Sequence, residues 1–268
     1  MLIAALPMYD LPELEAANDR LWAAIAARLR AAGVIQAPDE LTRDAALDEI
    51  WSAPELLLSQ TCGYPLVTAL KGRVSLVATP CYRAPGCHGP FHRSAVIVRA
   101  ADATAALSDL RGRRCAVNDM ASNSGMNLLR AEIAEFAGAT AFFSGVLVTG
   151  AHAASAEAVA SGEADVAAID CVTWAHLQRL RPATTQALRV LAWTRDSPGL
   201  PLITSSLTDE ATCASLRQAL QDVARDPSLE AVRAELLLDG FDTLSTRHYD
   251  LVLQIERAAA SRGYAALC

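Results

Sequence analysis

Val117-Asn-Asp-Met-Ala-Ser-Asn-Ser-Gly-Met126 is the stretch on which the reading of this chain turns. Its left end completes an apolar run over residues 115–117. Its right end opens an apolar helical pattern over 126–136 that Gly138 closes. Between them stand Asn118, Asp119, Ser122, Asn123 and Ser124, whose short polar side chains can accept from the exposed N–H groups of a helix's first turn. Strand, polar turn and helix in succession form half of a βαβ unit, and α/β sheets build their sites at the carboxyl ends of such strands. A helix start carries unpaired N–H groups and a partial positive charge, so it can hold phosphate-like oxygens without a Lys or Arg. The Ser122 and Ser124 hydroxyls would add donors to the same anion. An ordinary capping loop would use the same residue types, so the motif alone leaves both readings open.

The same alternation continues in both directions. Upstream, strands are predicted over residues 3–6, 56–58, 74–78 and 94–98. A long helix opens at Pro12, with Leu14, Leu21, Trp22, Ile25 and Leu29 on one side and Gly33 as its C-cap, and a short helix covers 63–70. Downstream come a helical turn over 107–110, strands over 142–148, 166–169 and 190–192, and helices over 153–160 and 172–180. From Ala211 onward the pattern reads as almost wholly helical, through Leu216, Leu220, Val223, Leu229, Val232, Leu236, Leu251 and Ile255.

Two extended crossings, over residues 92–99 and 193–205, interrupt the alternation; Pro198, Gly199 and Pro201 punctuate the second. The expected architecture is therefore two α/β lobes, each a mixed, mostly parallel sheet flanked by helices. One lobe is discontinuous (1–94 and 200–268) and the other is inserted into it (95–199), with a ligand cleft expected between them.

Composition sets the outer bounds. The 268 residues carry 23 Lys+Arg against 30 Asp+Glu, a net charge of −7, with no long basic run, which argues against nucleic acid and anionic membrane as partners. No apolar run reaches the roughly 18 residues a membrane span needs, so no membrane insertion is expected. The first ten residues lack a basic n-region and a long apolar core. The sequence as it stands thus reads as cytoplasmic, or as periplasmic if a leader has been removed ahead of Met1. Seven dispersed cysteines do not look like a disulfide scaffold.

Polar residues recur just after predicted strands: Tyr9 and Asp10, then Gln60, Thr61 and Tyr64, then His152, then Asp170 with Trp174. Singly, each is an unremarkable packing or capping residue; their recurrence favours one shared site. Cys81, Cys87, His88 and His92 crowd into one Pro/Gly-rich loop. Thiolate and imidazole are zinc donors, but the spacing fits no standard pattern, so a loop without a metal is the expectation. A Cys81–Cys87 disulfide is an option only in an exported protein. Ser122 or Ser124, His152 and Asp170 are also the residue types of a hydrolase triad, yet no Gly-x-Ser-x-Gly elbow accompanies them, and no catalytic residue or cofactor is expected.

Leu57-Leu-Ser-Gln-Thr-Cys-Gly-Tyr-Pro65, Ser122-Asn-Ser-Gly125, Gly150-Ala-His-Ala-Ala-Ser155 and Ala164-Asp-Val-Ala-Ala-Ile-Asp170 together give the chain a family likeness. Over residues 2–204 it resembles the phosphate/phosphonate/phosphite-type solute-binding proteins of ABC importers, the PhnD-like proteins with the type II periplasmic binding protein fold. The resemblance implies a non-catalytic protein that captures a small oxyanion and hands it to an ABC permease. It implies an anion held by Ser122, Asn123, Ser124 and Gly125, with His152 donating a further hydrogen bond and Tyr64 and Tyr9 closing from the other lobe. Asp170 would accept from a protonated oxygen or an amino group of the ligand, since a carboxylate repels fully ionised oxyanions. Asn123 departs from the Thr common between the two serines in phosphonate binders. A cytoplasmic sensor or accessory protein of the same fold, working without a transporter, is the competing reading.

Overall fold

In the computed structural model, which describes residues 2–138 and 140–268, the strands are β1 (Ile3–Ala5), β2 (Leu56–Gln60), β3 (Val74–Tyr82), β4 (Phe91–His92), β5 (Ser94–Arg99), β6 (Arg114–Val117), β7 (Gly145–Val148), β8 (Val166–Asp170), β9 (Leu188–Trp193), β10 (Ser197–Pro198), β11 (Leu202–Ser205) and β12 (Leu238–Asp242). Contacts divide the chain into two units. Unit 1 comprises Met1–Arg83, His88–Pro90 and Pro198–His248; unit 2 comprises Ala84–Cys87, Phe91–Ser197 and Tyr249–Cys268.

Unit 1 is built on a mixed sheet of order β1-β2-β11-β3-β12. β1 and β2 run parallel, and β11, the return of the chain after the second crossing, inserts antiparallel between β2 and β3. The Glu15–Ala31 helix buries Leu21, Trp22, Ile25 and Leu29, the spacing of one helical face. It ends in a Schellman motif. Gly33, at φ +96°, donates to the Arg30 carbonyl at 3.0 Å, and Val34 donates to that of Leu29 at 2.9 Å.

β12 lies inside the stretch read as helical. The apolar run Leu236-Leu237-Leu238 continues the helical pattern, but Leu237 takes φ +56°, which ends the preceding helix and turns the chain into an edge strand antiparallel to β3.

Unit 2 has the order β7-β6-β8-β5-β9. β6 runs parallel to β7 and β8, while β5, which leads the chain out of the first crossing, is antiparallel to β8 and β9. Alternation along β5 sends Val96 and Val98 into one core with Val117, Leu129 and Ile133. Ala95 and Ile97 go into the opposite core with Val159, Ile169 and Leu177.

Residues 249–268 belong to unit 2, although the sequence reading kept everything after 200 in the first lobe. The stripe of the Thr246–Ser261 helix explains this. Ile255 packs on Leu128 and Ala131, and Ala259, Tyr264 and Leu267 complete the core around Ile133 and Phe142. The main-chain oxygen of Cys268 accepts from the N–H groups of Phe142 (2.7 Å) and Phe143 (2.9 Å). These bonds hold 142–143 outside the strand predicted for 142–148, which begins at Gly145. Among the described residues, no helix is long and apolar enough to cross a membrane.

Candidate functional site

β6 delivers the chain to Asn118, and a turn then leads to Ser122, which caps the next helix: its Oγ accepts from the Gly125 N–H at 2.9 Å. The helix starts earlier than its apolar pattern suggested, with a wide π turn over Asn123–Asn127 in which the Asn127 N–H reaches the Ser122 carbonyl at 3.0 Å. The ordinary α-helix, Leu128–Ala137, follows. Glycine at 125 is required by close approach. A Cβ there would stand 1.9 Å from Asn118 Oδ1 and 3.2 Å from His152 Cε1. The missing methyl lets Asn118 and His152 close onto the turn.

His152 opens the helix that follows β7, and Ser124 Oγ lies 2.9 Å from its Nε2. Two main-chain bonds, Thr149 N–H to Val117 O (2.8 Å) and Gly150 N–H to Asn118 O (3.0 Å), seat the loop before His152 on the end of β6. Burial pushes the His152 pKa down to about 4. The ring is therefore neutral at neutral pH and can both donate and accept. The Ser124 carbonyl in turn accepts from Ser94 Oγ at 2.9 Å.

Asn123, the departure from the family pattern, carries a network instead of a free side chain. It donates to Ser197 Oγ at 2.8 Å and accepts from Asn127 Nδ2 at 3.0 Å. Asn127 also receives Arg130 at 2.6 Å, and Arg130 reaches the Ala265 carbonyl at 2.8 Å. The turn is thereby tied to the start of the second crossing and to the C-terminal residues.

Asp170 ends β8 and caps the Cys171–Leu180 helix, its Oδ1 accepting from Val172 N–H (2.9 Å) and Thr173 N–H (3.2 Å). Its Oδ2 is 2.8 Å from His92 Nδ1, and both side chains are buried. Burial opposes charge on either group, but each counters it for the other: the His92 pKa is raised and the Asp170 pKa is held below the usual carboxylate range. The carboxylate that the resemblance turned toward a ligand thus has a protein partner on each oxygen.

Ser122, Asn123, Ser124, Gly125, His152 and Asp170 all lie in unit 2, at strand ends and helix starts of one sheet. Tyr9 and Tyr64 lie in unit 1. Tyr9 is buried, packs edge-on against Tyr82 with ring centroids 5.1 Å apart, and lines a cavity of about 30 Å³ with Leu58 and Gln60. Tyr64 is half-buried at the start of the Gly63–Val67 helix. His92, Ser94 and Asn118, which the sequence reading did not place among the ligand residues, also contact this cluster. The cysteine that Cys87 meets is Cys171, with the Sγ atoms 3.2 Å apart, and not the Cys81 considered for it in an exported protein. The metal-ligand types that converge are His92, Asp170 and Cys171, with donor atoms within 4.8 Å of one another, and not the Cys87, His88 and His92 set weighed from sequence.

Two α/β units, each centred on a mixed sheet, have the fold of the type II periplasmic binding proteins. The chain belongs to the family of ABC transporter phosphonate periplasmic substrate-binding proteins, whose model matches residues 3–249. That family supplies the substrate-binding component of a transporter and not a catalyst. Solved structures share the fold. The binding protein component of an ABC phosphonate transporter from Pseudomonas aeruginosa is 15% identical with a TM-score of 0.77, covering 97% of this chain and 87% of that one. PhnD1 from Prochlorococcus marinus in complex with methylphosphonate is 14% identical with a TM-score of 0.76, covering 96% and 97%. A Xanthomonas citri protein bound to chloride ion is 17% identical with a TM-score of 0.73, covering 97% and 98%. A comparison with curated proteins finds no match.

Proposed function

We propose that this protein captures a small oxyanion of the phosphate, phosphonate or phosphite kind and passes it to an ABC permease, working in the periplasm as its family does. The observation that carries the reading is the pairing of Ser124 Oγ with a neutral His152 at a helix start onto which Gly125 lets Asn118 and His152 close. These are uncharged donors, suited to an anion that must be released again. PhnD1, of the same fold, is seen with methylphosphonate.

Ser122, Ser124 and His152 are assigned to the anion's oxygens, with Asn123 holding the turn that presents them. Asp170 is assigned a positioning part through His92 and its own helix. Tyr64 and Tyr9, in unit 1, are assigned as ligand residues on the family likeness alone. Isothermal titration with methylphosphonate, phosphate and phosphite, with sulfate as control, tests the proposal. At least one phosphorus oxyanion should bind at micromolar Kd or tighter, about −8 kcal/mol. A folded protein that gives no heat with any of the three would refute it.

A further inference from the structure

Cys87 and Cys171 stand 84 positions apart in the chain, yet their Sγ atoms are 3.2 Å apart. The backbone enforces this approach. Gly86 sits at φ +97°, and a Cβ on it would lie 2.8 Å from Trp193 Cζ3 and 3.1 Å from Cys171 Cβ, so the main chain just before Cys87 is pressed onto Cys171. Arg93 pins both partners. Its N–H donates to the Gly86 carbonyl at 3.0 Å, and its own carbonyl accepts from the Cys171 N–H at 3.1 Å. The Cys87 N–H closes the turn onto Ala84 O at 2.9 Å.

The two thiols are unequal. Cys87 is half-buried and Cys171 buried. The hydrogen bond between them lowers the Cys87 pKa, while the same bond and burial raise that of Cys171. One sulfur is placed to attack and the other to resolve.

We propose that Cys87 and Cys171 form a thiol–disulfide pair, closed to an intrachain disulfide by a low-molecular-weight disulfide such as oxidised glutathione. The Cys87 thiolate attacks one sulfur of the oxidant, whose S–S bond breaks and expels one glutathione thiolate. That thiolate takes up a proton. Cys171 then loses its proton and attacks Cys87 Sγ, expelling the second glutathione as its thiol. Two protein thiols are oxidised and one glutathione disulfide is reduced to two thiols. A contraction of about 1.2 Å brings the sulfurs to the bonding distance near 2.05 Å. The proposal goes beyond oxyanion capture and does not depend on it.

The test uses the full chain, folded, incubated with oxidised glutathione, then unfolded in urea, alkylated with iodoacetamide and digested without reductant. Mass spectrometry should find the Cys87 and Cys171 peptides linked, about 2 Da below their summed mass. Two of the seven cysteines should become closed to alkylation. Cys171→Ser should stop the reaction at a stable glutathione adduct on Cys87. The wild-type result stands by itself if that variant does not fold. Recovery of both peptides alkylated, a Cys81–Cys87 link, or one equivalent of zinc shielding both thiols would overturn the proposal.

Discussion

His92 Nδ1 lies 2.8 Å from Asp170 Oδ2, with the two residues only 4% and 1% exposed. Each charge is tolerable there because of the other, and the second carboxylate oxygen is spent on two main-chain N–H groups at the head of a helix. The register explains the meeting. Ser94, two residues after His92, is paired across the sheet with Asp170. Nothing local in either segment announces the contact.

Removing one charge of this pair should cost far more than a surface ion pair. Asp170→Asn keeps an oxygen for the helix cap but leaves His92 without its counter-charge, and a drop of about 3 kcal/mol in unfolding free energy is expected. Urea denaturation at pH 6 checks it; a loss below about 1 kcal/mol would contradict the charge-pair account.

Acid should weaken the fold through His152. Its folded pKa of about 4 lies below the reference value of 6.5, so between these values the unfolded chain binds the extra proton. Stability therefore falls as pH drops from 6.5 toward 4, by on the order of 2 kcal/mol from this group after allowing for its partial exposure. Asp170, with its lowered pKa, adds a loss only at still lower pH. His92, with its raised pKa, contributes stability in acid and loses it as pH rises through that value. Denaturant midpoints measured from pH 4 to 7 for wild type and His152→Gln should converge toward pH 7 and separate in acid.

Gly125→Ala should be destabilising because its new methyl would overlap Asn118 Oδ1. About 1–3 kcal/mol is expected, with loss of oxyanion binding. Asn118→Ala removes the offending oxygen, so the double variant should recover most of that stability. Thermal melts of the four proteins form the cycle, and strict additivity would mean the clash is not the cause.

Ser124→Ala removes the hydroxyl that faces His152. If that hydroxyl reaches the ligand, titration should show affinity for the tightest-binding oxyanion falling 10- to 100-fold, the worth of about 1.5–3 kcal/mol for a hydrogen bond to a charged group. Unchanged affinity would remove Ser124 from the site.

The parts of the fold legible from sequence were those written in short-range period and capping. The Ser122 cap, the Gly33 terminus and the buried face of Glu15–Ala31 follow from spacing alone. Asp170 as a helix cap was also open to reading, since a helical pattern begins two residues later, but the family likeness drew it toward a ligand instead. β12 was hidden because Leu236–Leu238 continue a helical stripe and the positive φ of Leu237 leaves no trace in composition. The Cys87–Cys171 approach depends on how a loop folds onto a distant helix, which spacing within that loop does not record.

The way the C-terminal residues complete the core around Ile133 has a consequence for synthesis. Unit 1 waits for residues up to 248, and unit 2 for Tyr264 and Leu267, so the N-terminal part cannot finish folding while the rest is still being made. Neither unit can close until most of the chain has been made. A nascent chain halted before residue 248 emerges would hold two unfinished cores, both exposed to chaperones.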